Sequence, residues 1–519
     1  MHASTTRRAA GAVIAAAALV LSALPATAAS AANDVVDPTT SFYVNPTSTT
    51  AEAAAALSGQ ARADAQLLAS FPSATWFTKG TPSEVQAGVN ELLDGSSAAG
   101  DVPVIVLYNL PFRDCAQYSA GGATSTAEYE AWIDGAVAGI GDREVIVVLE
   151  PDGLGIIPWY TTINGTQDWC QPAEADPATA ASDRFAQLRY AVDSLAALPN
   201  AAVYLDGTHS AWLGVGDATD RLIKAGIENA DGFFLNASNY IETERLVKYG
   251  HWISDCVYLD LKSWWQREWC ASQYYPANPD DFSTWGLSDA AFDQAFADTG
   301  LARDPARQPH VVIDTSRNGT GPWTPPAGAY SDPEAWCNPP GAGLGLAPTA
   351  DTGDPIIDAY LWIKVPGESD GQCYRGTGGP TDPERGMIDP PAGQWFPEQA
   401  AELIALANPA VSRPACAVDY TVHGTWPGGA NVQLWIRNTG TEPVDGWTLR
   451  WAFPDGWSIA NGWSASYASK GGQQLATNLA WNRVIRPGER ITIGFIASTP
   501  GGADEPLLFF LNDGVCVSS

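Results

Sequence analysis

Closely spaced cysteines are missing from this sequence. Its eight cysteines, at 115, 170, 256, 270, 337, 373, 416 and 516, include no C-x-x-C pair, and there are only five histidines. A metal site is therefore not expected, and no metal or other cofactor is assigned. Basic residues are also scarce, 27 Lys and Arg against 58 Asp and Glu, for a formal charge of −31. That balance argues against nucleic acid or an anionic membrane as partner and favours a neutral one. No apolar run reaches the roughly 20 residues that a spanning helix needs, and no Gly-rich phosphate loop follows the first strand-like segment.

What is present begins with an address. Arg7 and Arg8, an apolar stretch from Ala9 to Leu24 broken by Pro25, and small residues at 26–31 read as a signal peptide over 1–32. A secreted, extracellular protein is expected, and an even number of cysteines in an oxidising compartment predicts four disulfides. About 490 residues then remain, too many for one ordinary core. The texture changes near Pro409. Before it, helical stretches at 128–140, 184–197 and 219–230 alternate with strand-like runs at 74–77, 103–108, 145–150, 202–206, 233–236, 311–314 and 359–364. After it, alternating strands appear at 431–437, 447–453 and 491–497. The predicted units are 33–411 and 416–519, with a joint too short to hold them far apart.

Strand–helix repetition implies a parallel sheet. Polar residues collect just after the runs: Arg113 and Asp114, Asp152, Asp206 to His209, Asn236 to Asn239, Asp314, and Glu368 to Asp370. The fold class is α/β, a distorted barrel of about seven parallel strands whose strand ends share one face, followed by an all-β sandwich. An open doubly wound sheet is the alternative. Acids and amides gathered without a metal set or a nucleophile motif point to general acid and base chemistry by carboxylates, of which glycoside hydrolysis is the commonest form. The 21 Trp and 17 Tyr supply flat faces suited to sugar rings.

The chain carries VLYNLPFRDC at 106–115 with SAGG at 119–122, LEPD at 149–152, YLD at 204–206 with His209 and Trp212, SNY at 238–240, DTSRNG at 314–319, WCN at 336–338 and KVPGESDG at 364–371. This ordered set, over roughly 42–410, resembles glycoside hydrolase family six. The resemblance implies an inverting β-1,4-glucanase acting on cellulose and other β-1,4-glucans. Asp152 is then the general acid, Asp114 the neighbour that raises its pKa, and Asp370 the base, with Tyr108 crowding the sugar at the cleavage point. Asp206, His209, Asn239, Lys364 and Glu368 would bind hydroxyls, and Trp212 and Trp336 would stack on rings. It also implies disulfides Cys115–Cys170 and Cys337–Cys373, leaving Cys256 with Cys270.

Two departures stand out. Gly153 occupies a position where the family usually has Ser, and Gly207 and Thr208 replace the usual Ala-Gly. Residues 250–290, with a Trp-rich SWWQREW segment, look like an insertion, either a flap over the cleft or a surface excursion. Cys373 follows Asp370 by only three residues, which favours an open cleft and internal cutting, although the Gly- and Pro-rich stretch 375–393 is a candidate for cover.

In the C-terminal hundred residues, the pattern of Trp426, GWTL at 446–449, Trp451, Trp463, WN at 481–482 and LNDGVC at 511–516 resembles a family-2 carbohydrate-binding module of the cellulose-binding kind. Cys416 and Cys516 would close it, Trp426, Trp463 and Trp481 would face cellulose, and Trp447 and Trp451 would be core. The expectation is a monomeric endo-acting cellulase. A cellobiohydrolase is the alternative within the class, and a non-catalytic cellulose-binding protein the alternative outside it.

Overall fold

The computed structural model describes residues 35–411, 414–453, 456–470, 473–500, 505–512 and 514–518. The predicted signal segment 1–32 and two residues of the joint, Ser412 and Arg413, lie outside the described residues. Seven strands form one parallel sheet in sequential order: β1 (Thr75–Phe77), β2 (Val104–Leu107), β3 (Val145–Leu149), β4 (Ala201–Asp206), β5 (Gly232–Leu235), β6 (His310–Asp314) and β7 (Ile357–Leu361).

Alternation along each strand explains the curl. Ile105, Leu107, Val147, Leu149, Val203 and Leu205 pack outward under the helices. Val104, Val106, Ile146, Val148, Ala202 and Tyr204 turn inward and meet Phe234, Val312, Ala359 and Leu361 across the interior. Both faces are buried, so these strands read as continuous apolar runs rather than alternating ones. The helices between them start and stop on local signals. Thr81 caps Pro82–Ala99 in a reciprocal pair with Glu84, and left-handed Gly100 ends it.

The barrel is not ladder-closed. Among the described residues β1 and β7 share no ladder. The seam is bridged instead by the Ala74 amide donating to the Trp362 carbonyl (2.9 Å) and the Trp76 indole donating to the Ile363 carbonyl (2.8 Å). The third predicted helix, 219–230, is shifted: it runs Val215–Ala225, and Gly226 in the left-handed region ends it before the short turn Ile227–Asn229. Of the stretch 250–290 read from sequence as an insertion, 250–262 is the C-terminal part of an unbroken helix, Thr243–Lys262.

In the sandwich, strands Ser458–Trp463, Arg490–Ser498, Gly429–Asn438 and Cys416–Trp426 lie side by side. Gly514–Ser518 links them to a second layer of Phe509–Leu511, Thr448–Ala452, Gln473–Thr477 and Ser466–Lys470. Trp451 stacks on Phe495 between the layers with ring centroids 5.7 Å apart, and Trp447 is buried beside them. The two units touch. Ala51 and Ala69 pack on Leu508, Phe510 and Val515, and Arg62 and Gln66 of helix Gly59–Leu68 both donate to the buried Ser518 hydroxyl.

Candidate active site

The carboxyl ends of the strands open on a cavity of about 560 Å³. Tyr108, Asp114, Asp152, His209, Trp212, Asn239, Trp336, Lys364, Glu368 and Asp370 all line it. Of the residues expected there, Asp206 alone is set back. Its carboxylate lies beneath the Asp152 turn and accepts from the amides of Leu154 (3.2 Å), Gly155 (3.1 Å) and Thr208 (2.9 Å).

The turns after the strands are bent into conformations that L-residues avoid. Asp114 (φ 57°), Glu150 (φ 56°), Asp152 (φ 61°) and Thr208 (φ 58°) all lie in the left-handed region. Each costs on the order of 1–3 kcal/mol and persists only where the surroundings over-determine it. Here the surroundings are buried polar groups. Glu150 accepts from the amides of Asn109 (2.9 Å) and Leu110 (3.2 Å). Arg184 donates to the carbonyls of Pro111, Gly153 and Ile156 at 2.7–2.8 Å. Together they stitch the Tyr108 turn to the Asp152 turn.

The departures at 153 and 207–208 fit this crowding. A Cβ on Gly153 would lie 2.7 Å from the Glu150 carbonyl oxygen, and one on Gly207 would lie 2.6 Å from the Phe233 ring. Thr208 then carries the left-handed turn as a β-branched residue, an unusual and strained choice.

The two central carboxyls are biased in opposite directions. Burial, then the negative charge of Asp206, with Asp114 and Asp370 behind, holds Asp152 well above the ordinary carboxylate range. Asp206 is also raised by burial, but its three amide donors favour its charged form, so within the pair the proton belongs on Asp152. Asp206 is thus a larger influence on Asp152 than Asp114, the neighbour expected from sequence. Asp114 itself is pushed up to about 6 by burial, against the Ser119 amide that donates to it.

Burial also pushes Asp370 up, but the Arg317 guanidinium and then Lys364 outweigh it and hold the group below its ordinary value. Its Oδ2 accepts from Arg317 (2.9 Å), the Tyr240 hydroxyl (3.1 Å) and the Asn338 amide (3.0 Å). Lys364 stands 3.5 Å from Oδ1. Arg317, Tyr240 and Asn338 lie inside motifs read from sequence, yet their joint grip on one carboxylate has no local signature.

Burial drives the His209 imidazole down to about 4, so it is neutral. Nδ1 accepts from the Ala211 amide at 3.3 Å, which leaves Nε2–H as a donor. The Glu368 carboxylate accepts from Thr49 at 2.5 Å. Trp336 rests beside Tyr118, with centroids 5.8 Å apart. Trp76, Tyr118 and Trp169 also line the cavity and were not singled out from sequence. Trp76 had a signal, standing at the end of the first strand-like run. Trp169 had none beyond its place next to Cys170.

The disulfides are Cys115–Cys170, Cys256–Cys270, Cys337–Cys373 and Cys416–Cys516. The first ties the Asp114 turn to the Trp169 segment, and the third ties the Trp336 turn to the Asp370 segment. The stretch 375–393 is held by a buried Arg375–Asp382 pair, and Ala392 and Gly393 contribute to the cavity wall.

On the sandwich, Trp426, Trp463 and Trp481 are 47%, 40% and 71% exposed. A Cβ on Gly429 would lie 2.5 Å from the Trp426 ring, and one on Gly494 would lie 2.3 Å from the Trp463 ring. Both indoles therefore lie flat over glycines. Gly494 pairs with Gln433, which shares the outward face with Gly429, so the two rings occupy the same side of the sheet. Trp481 sits in the turn Ala480–Asn482, and Asn482 donates to the Ser464 carbonyl (2.7 Å), which places that turn next to Trp463.

Residues 37–407 match the family model for glycosyl hydrolases family 6, and 416–516 match the cellulose binding domain model. Endoglucanase A from Thermobispora bispora is 32% identical over 493 residues, covering 89% of each chain. A probable 1,4-β-D-glucan cellobiohydrolase C from Aspergillus fumigatus is 30% identical over 371 residues, covering 66% of this chain and 71% of its own. Among solved structures, the endoglucanase Cel6 from Mycobacterium tuberculosis, in complex with methyl-cellobiosyl-4-deoxy-4-thio-β-D-cellobioside, aligns with TM-score 0.50 and 33% identity. That alignment covers 70% of this chain and 96% of the other.

Proposed function

The chain belongs to glycosyl hydrolase family 6, and we propose that it is a secreted, inverting, endo-acting β-1,4-glucanase carrying its own cellulose-binding module. The observation that carries the mechanism is the opposite bias of Asp152 and Asp370 in one cavity. Asp152, holding its proton, gives it to the glycosidic oxygen as the C1–O bond breaks. Water adds to C1 from the opposite face, and its proton passes to Asp370, directly or through a second water. Because Asp370 is held as an anion by Arg317 and Lys364, it is a modest base, and its charge also serves a sugar ring that gains positive character in the transition state.

Asp114 and Asp206 act on the acid through their charge. Tyr108, T-shaped against Trp76 at 5.6 Å and capped by the Arg113 guanidinium at 4.5 Å, gives the wall a fixed surface against which the ring is distorted. His209 Nε2–H, Asn239, Lys364 and Glu368 are placed for hydroxyls, and Trp76, Trp212 and Trp336 for ring faces.

Endo action is supported by the three-residue step from Asp370 to Cys373 and by the long match to an endoglucanase. Four disulfides support an oxidising, extracellular setting, and no helix among the described residues is long and apolar enough to cross a membrane. The test is a joint one. Viscosity of carboxymethyl cellulose should fall well before much reducing sugar appears, and the first product anomer seen by NMR should be α. Release of little but cellobiose without viscosity loss would make the enzyme a cellobiohydrolase, and a β anomer would remove the inverting scheme.

A further inference from the structure

The segment after helix Thr243–Lys262 is pinned by Cys256–Cys270, and its next turn, closed by the Ser272 amide on the Tyr275 carbonyl (2.8 Å), leans on the cleft wall. The anchor is Gln273, fully buried. Its Nε2 donates to the carbonyls of Ser210 (2.7 Å) and Leu213 (2.9 Å), on either side of Trp212. Tyr274 donates its hydroxyl to the Trp212 carbonyl itself at 3.2 Å. Its ring stands beside Gly214, where a Cβ would be 3.6 Å away. One face of the Trp212 ring is backed by Gly155, and the indole lines the cavity. Neither tyrosine is part of the cavity lining, and both are open to water, Tyr274 44% exposed and its chain neighbour Tyr275 80% exposed.

Two large aromatic rings left in water by a loop that spends a buried amide on its attachment are not scattered surface residues. We propose that Tyr274 and Tyr275 form an additional glucan-binding subsite, continuing the Trp212 wall beyond the cavity and taking glucose units of a chain too long to lie within it. The proposal rests on the glucanase reading above. A neutral sugar face suits the phenol rings, and the strongly acidic chain disfavours an anionic ligand. Trp264 and Trp269 are exposed on the same loop, but their ring contacts are with each other and with Trp265, so they are left out of the site.

The experiment compares Tyr274→Ala/Tyr275→Ala with wild type on cellohexaose and on the shortest cello-oligosaccharide that the wild type cleaves. The expected result is a fall of about tenfold in kcat/KM on cellohexaose, little change on the short substrate, and wild-type behaviour from Tyr274→Phe, which keeps the ring and loses the hydroxyl. Equal values for variant and wild type on both substrates overturn the subsite. So does equal loss on both, or a loss in Tyr274→Phe matching that of Tyr274→Ala, because either result makes the loop a brace for Trp212. If the wild type cleaves no oligosaccharide, the glucanase reading falls. The platform is then judged by equilibrium binding of cellohexaose, which the double variant must still weaken about tenfold.

Discussion

The barrel cleft and the sandwich face address the same polymer by opposite physical means. In the cleft, function comes from burial. Burial raises Asp152 while the Arg317 and Lys364 cations hold Asp370 down, and the turns that carry Asp114 and Asp152 are held in strained conformations by buried Glu150, Arg184 and Asp206. On the sandwich, function comes from exposure. Indoles are laid flat over Gly429 and Gly494 and left in water. Chemistry needs a low-dielectric pocket in which a proton is worth moving, whereas adhesion to a solid needs only a surface that is poorly solvated beforehand.

Removing the buried proton breaks the comparison most sharply. Asp152→Asn should cost about a hundred- to ten-thousand-fold in turnover of cellulose and distinctly less on an activated aryl glycoside or fluoride, whose leaving group needs no proton. Asp370→Asn should impair both substrate classes. Equal losses on both classes for Asp152→Asn would mean that Asp152 is not the acid.

The exposed side answers to a milder change. Trp463→Ala with Trp481→Ala should weaken adsorption to crystalline cellulose by roughly tenfold per ring while leaving turnover of a short soluble oligosaccharide as it was. Adsorption equal to wild type in a pull-down isotherm would remove these rings from the binding face.

The smallest effect separates the two units by pH. Burial pushes Asp114 up to about 6 and Glu150 up to about 7, above ordinary values near 4. Folded pKa values that are raised give a stability contribution complete below about pH 4 and lost as the pH climbs through 6 to 7. The lowered Asp370 opposes this only in acid. His209, held down to about 4, opposes it between about pH 4 and 6.5, but Asp206, also pushed up to about 6, and Asp152, held well above the carboxylate range, add to the loss and outweigh it. Among the described sandwich residues, Glu505 is the carboxyl that burial raises, and Arg62 counters it. Calorimetry of the full chain should therefore show the barrel melting on the order of 5 °C lower at pH 7.5 than at pH 4.5, with the sandwich nearly level. A barrel transition that is flat or rising over that range would refute the burial argument.

Much of this was legible in sequence, for a physical reason. The central strands β2 to β5 are buried at every position and read as nearly unbroken apolar runs, and the acids that follow them mark the cavity mouth. Half-buried β1 and alternating β7, Ile357–Leu361, stand out less cleanly, and the run read at 359–364 starts two residues late. The capture of Asp370 by Arg317, 53 residues away, was not legible, because contacts between turns carry no periodicity. The withdrawal of Asp206 beneath the Asp152 turn was hidden for the same reason: its partners are backbone amides, which every residue possesses. Within 250–290 the point where helix gives way to loop was not legible either, because helix Thr243–Lys262 carries its buried face on through Leu259. The contact of Gln66 with Ser518 joins positions 452 apart and left no trace in either segment.

The seam between β1 and β7 carries a mechanical consequence. Elsewhere neighbouring strands are zipped by ladders, but here one amide and one indole N–H hold the gap, and Trp76 and Lys364 on its two sides both line the cavity. Local opening follows the fewest bonds. The Ala74 amide should exchange with deuterium ahead of the β2–β5 amides, and a glucan chain resting on Trp76 should slow that exchange, making the seam a gauge of occupancy readable without any turnover.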